Sequence, residues 1–218
     1  MKKYHYQILS FALPIILWEV FSLSIKSFFF PSFETIFNDV RSKIEIVDFF
    51  KNIWSTLYKS LITFVIANFL GIAIGYLISL RKEAILISSF TNDFFRSLPT
   101  IVLFPLFMIV FGINDFSKIL VTTFGLFWIV LFNTINSLQT LEQVRIRYLK
   151  SMNASSIHIF QHCVIFILTK NWIANARICL NLSLLITITL EMFIGSESGI
   201  GKVITDAKNY FEISQMYF

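Results

Sequence analysis

Apolar positions along this chain neither alternate nor gather into short runs; they continue, uninterrupted by charge, over lengths that suit a membrane helix. Residues 61–80 are twenty positions without a charge, bounded by Lys59 and by Arg81 and Lys82. Residues 119–138 are twenty more after Lys118, and residues 97–114 are eighteen between Arg96 and Asp115. Residues 8–25 make eighteen with one interruption at Glu19. A fifth stretch, 171–194, is uncharged over 178–190 but contains Arg177 and Glu191. Crossing a hydrocarbon core of about 30 Å takes roughly 20 residues of helix. The pattern predicts an all-α, polytopic membrane bundle with about five transmembrane helices, forming a single domain over 1–218.

Between the first two runs the period changes. Phe33, Ile36, Phe37 and Val40 recur at helical spacing, as do Phe49, Phe50, Ile53, Trp54 and Leu57, with Asp48 placed to cap the second group. These predict amphipathic helices lying on one membrane face, read as a connector rather than a binding element. Met1, Lys2 and Lys3 precede the first run, but no small-x-small cleavage site ends it. The expectation is a retained first helix with a cytoplasmic N-terminus. Eight basic residues then fall on each side of the predicted topology, so charge count does not decide orientation.

Composition agrees with the pattern. Hydrophobic residues make up 56% and charged residues 14%, with 26 Phe, and mean hydropathy is +0.73. A soluble domain carries about 25% charged residues, and one with so few could not cover its surface. The net charge of +5 comes without any dense Lys/Arg run that would track phosphates, which excludes nucleic acid as a partner and points to lipid headgroups. Cys163 and Cys179 have no metal-ligand or redox spacing.

Polar groups inside the apolar runs are few. Gly71 and Gly75, with Ala67 one turn earlier, form a small-residue stripe that lets two helices approach closely. Pro99 and Pro105 each remove a backbone donor from the third run and predict a kink, either beside a pathway or purely structural. Glu19, Arg96, Arg177 and Glu191 lie at membrane depth, where a central charge costs roughly 2.5–3.5 kcal/mol. Arg96 and Arg177 are near span ends, so snorkelling ranks ahead of solute contact. Glu191, beside a glycine-containing loop, is the better candidate for a functional or helix-pairing carboxylate.

Enzymatic constellations do not appear. His5, His158 and His162 lie in no ligand-spaced cluster, and neither a G-x-S-x-G elbow nor H-E-x-x-H occurs. Residues 195–202 read G-S-E-S-G-I-G-K, which has five residues between Gly195 and Gly201 where a phosphate loop has four, and Val203 where it has Ser or Thr. No metal or cofactor is expected, and no ATP hydrolysis by this chain.

The longest predicted inner loop, 141–162, carries Arg145, Arg147 and Lys150. A helix to Met152 would stop at Asn153, which tolerates the left-handed conformation. Ser155 would then cap a second short helix running through Phe160. The result is a helix-turn-helix across the membrane face that offers Ile157 and Phe160 to a partner's groove.

With that loop the chain resembles the membrane permease subunit of binding-protein-dependent ABC importers, of the nitrate, sulfonate and taurine type. The resemblance runs through Leu13-Pro14, Leu17-Trp18-Glu19 and Pro31-Ser32 to Arg96-Ser97-Leu98-Pro99, Phe104-Pro105-Leu106, Phe111-Gly112 and Ser117-Lys118. It continues with Asn133-Thr134, Ala154-Ser155 through Phe160, Ala176-Arg177, Glu191 and Ser198-Gly199-Ile200-Gly201. It implies a transport subunit that is not an enzyme. The coupling loop would comprise Arg147, Asn153, Ala154, Ser155, Ile157 and Phe160. Arg96, Pro99, Pro105, Asn133 and Glu191 become candidates for pathway lining or helix pairing. The implied partners are two ABC ATPase subunits, which would use the ATP, a second permease copy in a homodimer, and an extracytoplasmic solute-binding protein. The implied location is the bacterial cytoplasmic membrane.

Two departures accompany the resemblance. Arg147, Tyr148 and Leu149 stand where the family carries a Glu-Ala-Ala triplet, and family members have one more span after the Ser-Gly-Ile-Gly loop. A truncated or degenerate permease, and a passive channel or scaffold, are the alternatives to an active importer.

Overall fold

Helix is the only regular structure in which a lipid-embedded chain can satisfy every backbone group within one segment, and the described residues form helices joined by short turns. The computed structural model describes residues 2–25, 27–43, 46–139, 148–149, 151–193 and 196–217. In order, these are α1 (Lys2–Ile25), α2 (Phe33–Lys43), α3 (Ile46–Ser79), α4 (Lys82–Ser97) and a 3-10 turn (Thr100–Leu103). They continue with α5 (Phe104–Phe111), α6 (Asp115–Gln139), α7 (Ser156–Ile159), a π-helical turn (Phe160–Val164), α8 (Ile165–Phe193), α9 (Ile200–Asn209) and α10 (Ile213–Tyr217).

Three continuous helices are long and apolar enough to span: Val47–Ser79, Asp115–Gln139 and Phe160–Phe193. They contain the predicted run 119–138, all but the last residue of 61–80 and all but the last of 171–194. α6 is the central helix, with Val121, Leu126, Val130, Leu131 and Ile135 buried along it. Phe104, Val121, Ile186 and Leu190 form one buried cluster, and Phe64, Val130 and Cys179 another. The glycine stripe sets the α3–α6 contact. A Cβ on Gly71 would lie 2.8 Å from Val130 Cβ, and one on Gly75 2.9 Å from Thr134 Cβ.

The third predicted run is not one helix. α4 and the Thr100–Phe111 segment meet at an angle of 89°, and together they are apolar and long enough for a broken span or a re-entrant loop. Pro99 has an extended backbone (φ −61°, ψ 116°), so α4 stops before it. Pro105 sits in the first turn of α5, where a missing N–H costs nothing. The expected kink at Pro105 is therefore absent: one proline breaks the run and the other restarts it.

The connector also differs from expectation. α2 is the separate amphipathic helix predicted over Phe33–Val40, but the Phe49–Leu57 group belongs to the same 34-residue α3 that crosses the bundle. Asp48 lies inside its first turn rather than at its cap. α1 holds the connector by polar contacts. Trp18 Nε1 donates to Pro31 O at 3.2 Å and Ser22 Oγ to Phe30 O at 2.8 Å. Glu19 Oε2 accepts the Phe33 N–H at 3.0 Å, so it fills one of the orphan donors at the start of α2.

The outward faces of α1, α4 and α5 are apolar and exposed, among them Leu17, Leu86, Ile87, Phe90 and Ile109. In water this would be an aggregation hazard; in a bilayer it is the lipid-facing or helix-pairing surface.

Replacing Gly71 by Leu is expected to overpack the α3–α6 seam and cost about 1–3 kcal/mol. Ala73→Leu, on the exposed side of α3, is expected to be nearly neutral. Thermal unfolding of both variants in the same detergent checks the difference.

Candidate functional site: a buried ion cluster and two polar stations

At the bundle end where α3 and α6 begin and α8 finishes, charged groups are buried that the apolar pattern alone would not place there. Lys59 of α3 and Glu191 of α8 form an ion pair at 2.7 Å, with side chains 3% and 0% exposed. A buried pair repays its desolvation only when its remaining lone pairs and protons are also satisfied. Here they are. Thr56 Oγ1 donates to Glu191 Oε2 at 2.8 Å, and the Gly201 N–H reaches the same oxygen at 3.1 Å. Lys59 Nζ donates to Ser198 O at 3.0 Å.

The same contacts cap α9. Its first backbone donors have no intrahelical acceptors. Asn52 Oδ1 takes the Gly199 N–H at 2.8 Å, Thr56 Oγ1 the Ile200 N–H at 2.8 Å, and Glu191 the Gly201 N–H. Three side chains from two other helices thus supply the start of α9, and the carboxylate also meets the positive end of its dipole. The glycines make this approach possible. Gly199 has φ 137°, which L residues rarely adopt, and a Cβ there would collide with the Glu191 carboxylate. A Cβ on Gly201 would meet Glu191 Cβ at 2.5 Å.

A second buried lysine extends the cluster. Lys118 of α6 is 2% exposed and pairs with Asp115 at 3.0 Å, while its Nζ also donates to Ser196 Oγ. Asp115 is 46% exposed and accepts from Lys59 as well, at 3.5 Å.

The opposite half of the bundle holds a ladder of asparagines. Asn133 Nδ2 donates to Asn175 Oδ1 at 3.4 Å, and Asn171 Nδ2 to Asn133 O at 3.2 Å. Asn175 Nδ2 donates back to Asn171 O and Oδ1, both at 2.9 Å. With Asn68, Thr134 and Trp172 they line a small cavity between α3, α6 and α8. Hydrogen bonds of this kind hold helices together where no water competes.

At the far end, beyond α8's start, the chain makes the turn that the loop pattern predicts. Asn153 is left-handed at φ 56°, and the Ala154 N–H bonds Leu149 O at 3.0 Å, the long bond of a Schellman stop. Ser155 Oγ accepts the His158 N–H at 3.3 Å, so it caps α7. The helix it starts does not end at Phe160 but passes through the π-helical turn into α8. Ile157 is 70% exposed, and Phe160 packs edge-on against Tyr76 at 5.4 Å between ring centroids. Arg147 lies outside the described residues.

The remaining candidates fall elsewhere. Arg96 is half-exposed, pairs with Asp93 at 3.1 Å and stands 3.7 Å over the Phe132 ring. Pro99 and Pro105 shape the broken span. Of the five pathway or pairing candidates, the structure puts Glu191 and Asn133 in interhelical polar contacts, at two separate stations. Lys59 and Lys118 escape a sequence reading that takes them as span boundaries. The missed signal is the polar stripe Asn52, Ser55, Thr56, Lys59, Ser60 and Thr63, spaced as one helix face.

Replacing Lys59 by Met leaves Glu191 buried and unpaired, with an expected cost of about 3–5 kcal/mol. Combining it with Glu191→Met is expected to recover most of that loss. A double-mutant cycle on thermal unfolding checks both outcomes.

Comparison with known proteins adds an independent line. A family described as binding-protein-dependent transport system inner membrane component matches residues 67–218. A putative aliphatic sulfonates transport permease protein of Bacillus subtilis (strain 168) is 24% identical over 170 residues, 78% of this chain and 61% of that protein. The taurine transport system permease protein of Escherichia coli (strain K12) is 25% identical over 162 residues, 72% of this chain and 58% of that one. The chain thus spans about three fifths of the length of these two relatives.

Proposed function

We propose, from the premise that this chain belongs to the family of binding-protein-dependent transport system inner membrane components, that it is the permease subunit of an ABC importer for a small sulfonate-like or taurine-like solute. The family match over 67–218 carries this reading. The roles that its relatives' names give, aliphatic sulfonate and taurine transport, suggest the solute class.

Two copies of the permease would enclose the pathway. Separate ATPase subunits would bind the ATP and dock at the Asn153 turn, and an extracytoplasmic binding protein would deliver solute at the Glu191 end. On this reading the N-terminus is cytoplasmic and the Glu191 end faces out. ATP-driven closure of the ATPases would move the 145–162 loop and rock the bundle between inward- and outward-facing states.

The turn suits such a role. The Schellman stop and the Ser155 cap hold it by local hydrogen bonds, and Ile157 projects into solvent beyond it. Because α7 runs on through the π-helical turn into α8, a push on Ile157 would act on a helix whose last turn carries Glu191. Ser155, Ile157 and Phe160 are the proposed ATPase contacts.

Reconstitution of the chain with its partner ATPase and binding protein tests the reading. ATP-dependent uptake of an aliphatic sulfonate is expected. Ile157→Asp should weaken ATPase co-purification about thirtyfold, the cost of a lost interface anchor. Unchanged ATPase capture by Ile157→Asp overturns the docking assignment. A correctly inserted complex without uptake favours the degenerate-permease alternative.

A further inference from the structure

We propose that Lys118 and Ser196 form an oxyanion-accepting subsite at the Glu191 end of the bundle, in which Asp115 is a tethered, exchangeable counter-ion. The inference rests on the importer reading and assigns that solute's first charged contact within the membrane subunit.

Charge balance sets this cluster apart: Lys59 and Lys118 are buried, at 3% and 2% exposed, but among the described residues Glu191 is the only carboxylate buried with them. The second negative charge is Asp115, with 46% of its side chain in contact with solvent. The interior of the cluster therefore carries two cations against one anion, and its neutrality is completed from outside.

The two lysines are not equivalent. Lys59 has Glu191 at 2.7 Å and Ser198 O at 3.0 Å besides Asp115, and its Asp115 contact is the longer one at 3.5 Å. Lys118 has Asp115 as its ion-pair partner, with Ser196 Oγ as a neutral companion. When Asp115 swings away, Lys118 becomes a buried ammonium without a counter-charge, which is costly enough to demand another anion.

Asp115 is the member of the cluster open to solvent, 46% exposed, and it is the first residue of α6, three residues after the left-handed Gly112 (φ 81°), with the backbone of that corner fixed by Asn114 and Ser117. The start of α6 adds partial positive charge at the same point. Exchange involves no bond making: one singly charged oxyanion replaces another, and the cluster stays neutral. A sulfonate presents three oxygens, enough to accept from Lys118 Nζ and from Ser196 Oγ together. A neutral sulfone leaves the ammonium unpaired, and a dianion leaves an excess negative charge.

The test uses the full chain in nanodiscs of zwitterionic lipid, with ethanesulfonate as probe and its neutral sulfone analogue as control. Calorimetric titration is expected to show Lys118-dependent ethanesulfonate binding. Asp115→Asn should tighten it about tenfold or more, because the competing carboxylate no longer occupies the site. Lys118→Met should abolish it, and the sulfone should not bind. Weaker or unchanged affinity in Asp115→Asn, or retained binding in Lys118→Met, overturns the proposal. If Asp115→Asn does not insert, the wild-type thermal midpoint decides. It must rise with ethanesulfonate and not with chloride at equal ionic strength.

Anionic lipid offers the same chemistry. A Lys118-dependent stabilisation by phosphatidylglycerol without any response to ethanesulfonate assigns the subsite to a headgroup and overturns the solute assignment. Uptake by the reconstituted transporter is a separate reading. Uptake without ethanesulfonate binding leaves the importer standing and removes the subsite, whereas binding without uptake does the reverse.

Discussion

Glu191 is a fully buried carboxylate, and the end of the bundle is organised around the contacts it makes. Its two oxygens together draw in an ammonium from α3, a hydroxyl from α3 and a backbone N–H from α9. Each contact constrains sequence. The ammonium must come from a residue on the same α3 face as Thr56, which Lys59 is. The backbone donor must approach closer than any side chain permits, so Gly199 and Gly201 have no Cβ to obstruct it. The order of the Ser-Gly-Ile-Gly segment is thus a steric consequence of the carboxylate beneath it, and the start of α9 is positioned by the same contact.

That dependence also explains why a costly arrangement is retained. Replacing a buried pair by apolar residues is often neutral or stabilising, so stability alone does not require Lys59 and Glu191. The pair is directional, however, and an apolar substitute would not be. It ties three helices, α3, α8 and α9, at one register, and a slide of α8 by one residue would separate the charges. The seam between α3 and α6 reaches fixed register differently, by backbone approach at Gly71 and Gly75. α8 meets these helices partly through asparagine side chains, whose hydrogen bonds can be exchanged with less loss than close-packed backbone contact.

The bundle's long helices were legible because charge-free length is a crude signal that tertiary packing rarely overrides. The 61–80 and 119–138 runs needed no knowledge of partners. The third run was not legible in the same way. Pro99 and Pro105 look alike in sequence, yet one falls between helices and the other in a first turn, and only the helix boundaries decide which. Lys59 and Lys118 were hidden for a similar reason: a lysine at the edge of an apolar run is a boundary in most chains, and their burial involves partners far along the chain, Glu191 for Lys59 and Ser196 for Lys118. Glu191 stood out because an acid inside an apolar run has no such bland explanation. The Asn153 turn was legible because its signals are local, a left-handed asparagine followed by a capping serine.

Placing these stations on one helix has a mechanical consequence. α8 is 29 residues long, about 44 Å at the helical rise. Its first turn continues from the π-helical segment beside Ile157 and Phe160, its middle carries Asn171 and Asn175, and its last turns carry Glu191. Lys59 meets Glu191 near the far end of that helix, so an axial displacement of α8 would change their separation and weaken the pair's attraction while the desolvation cost of each charge remains.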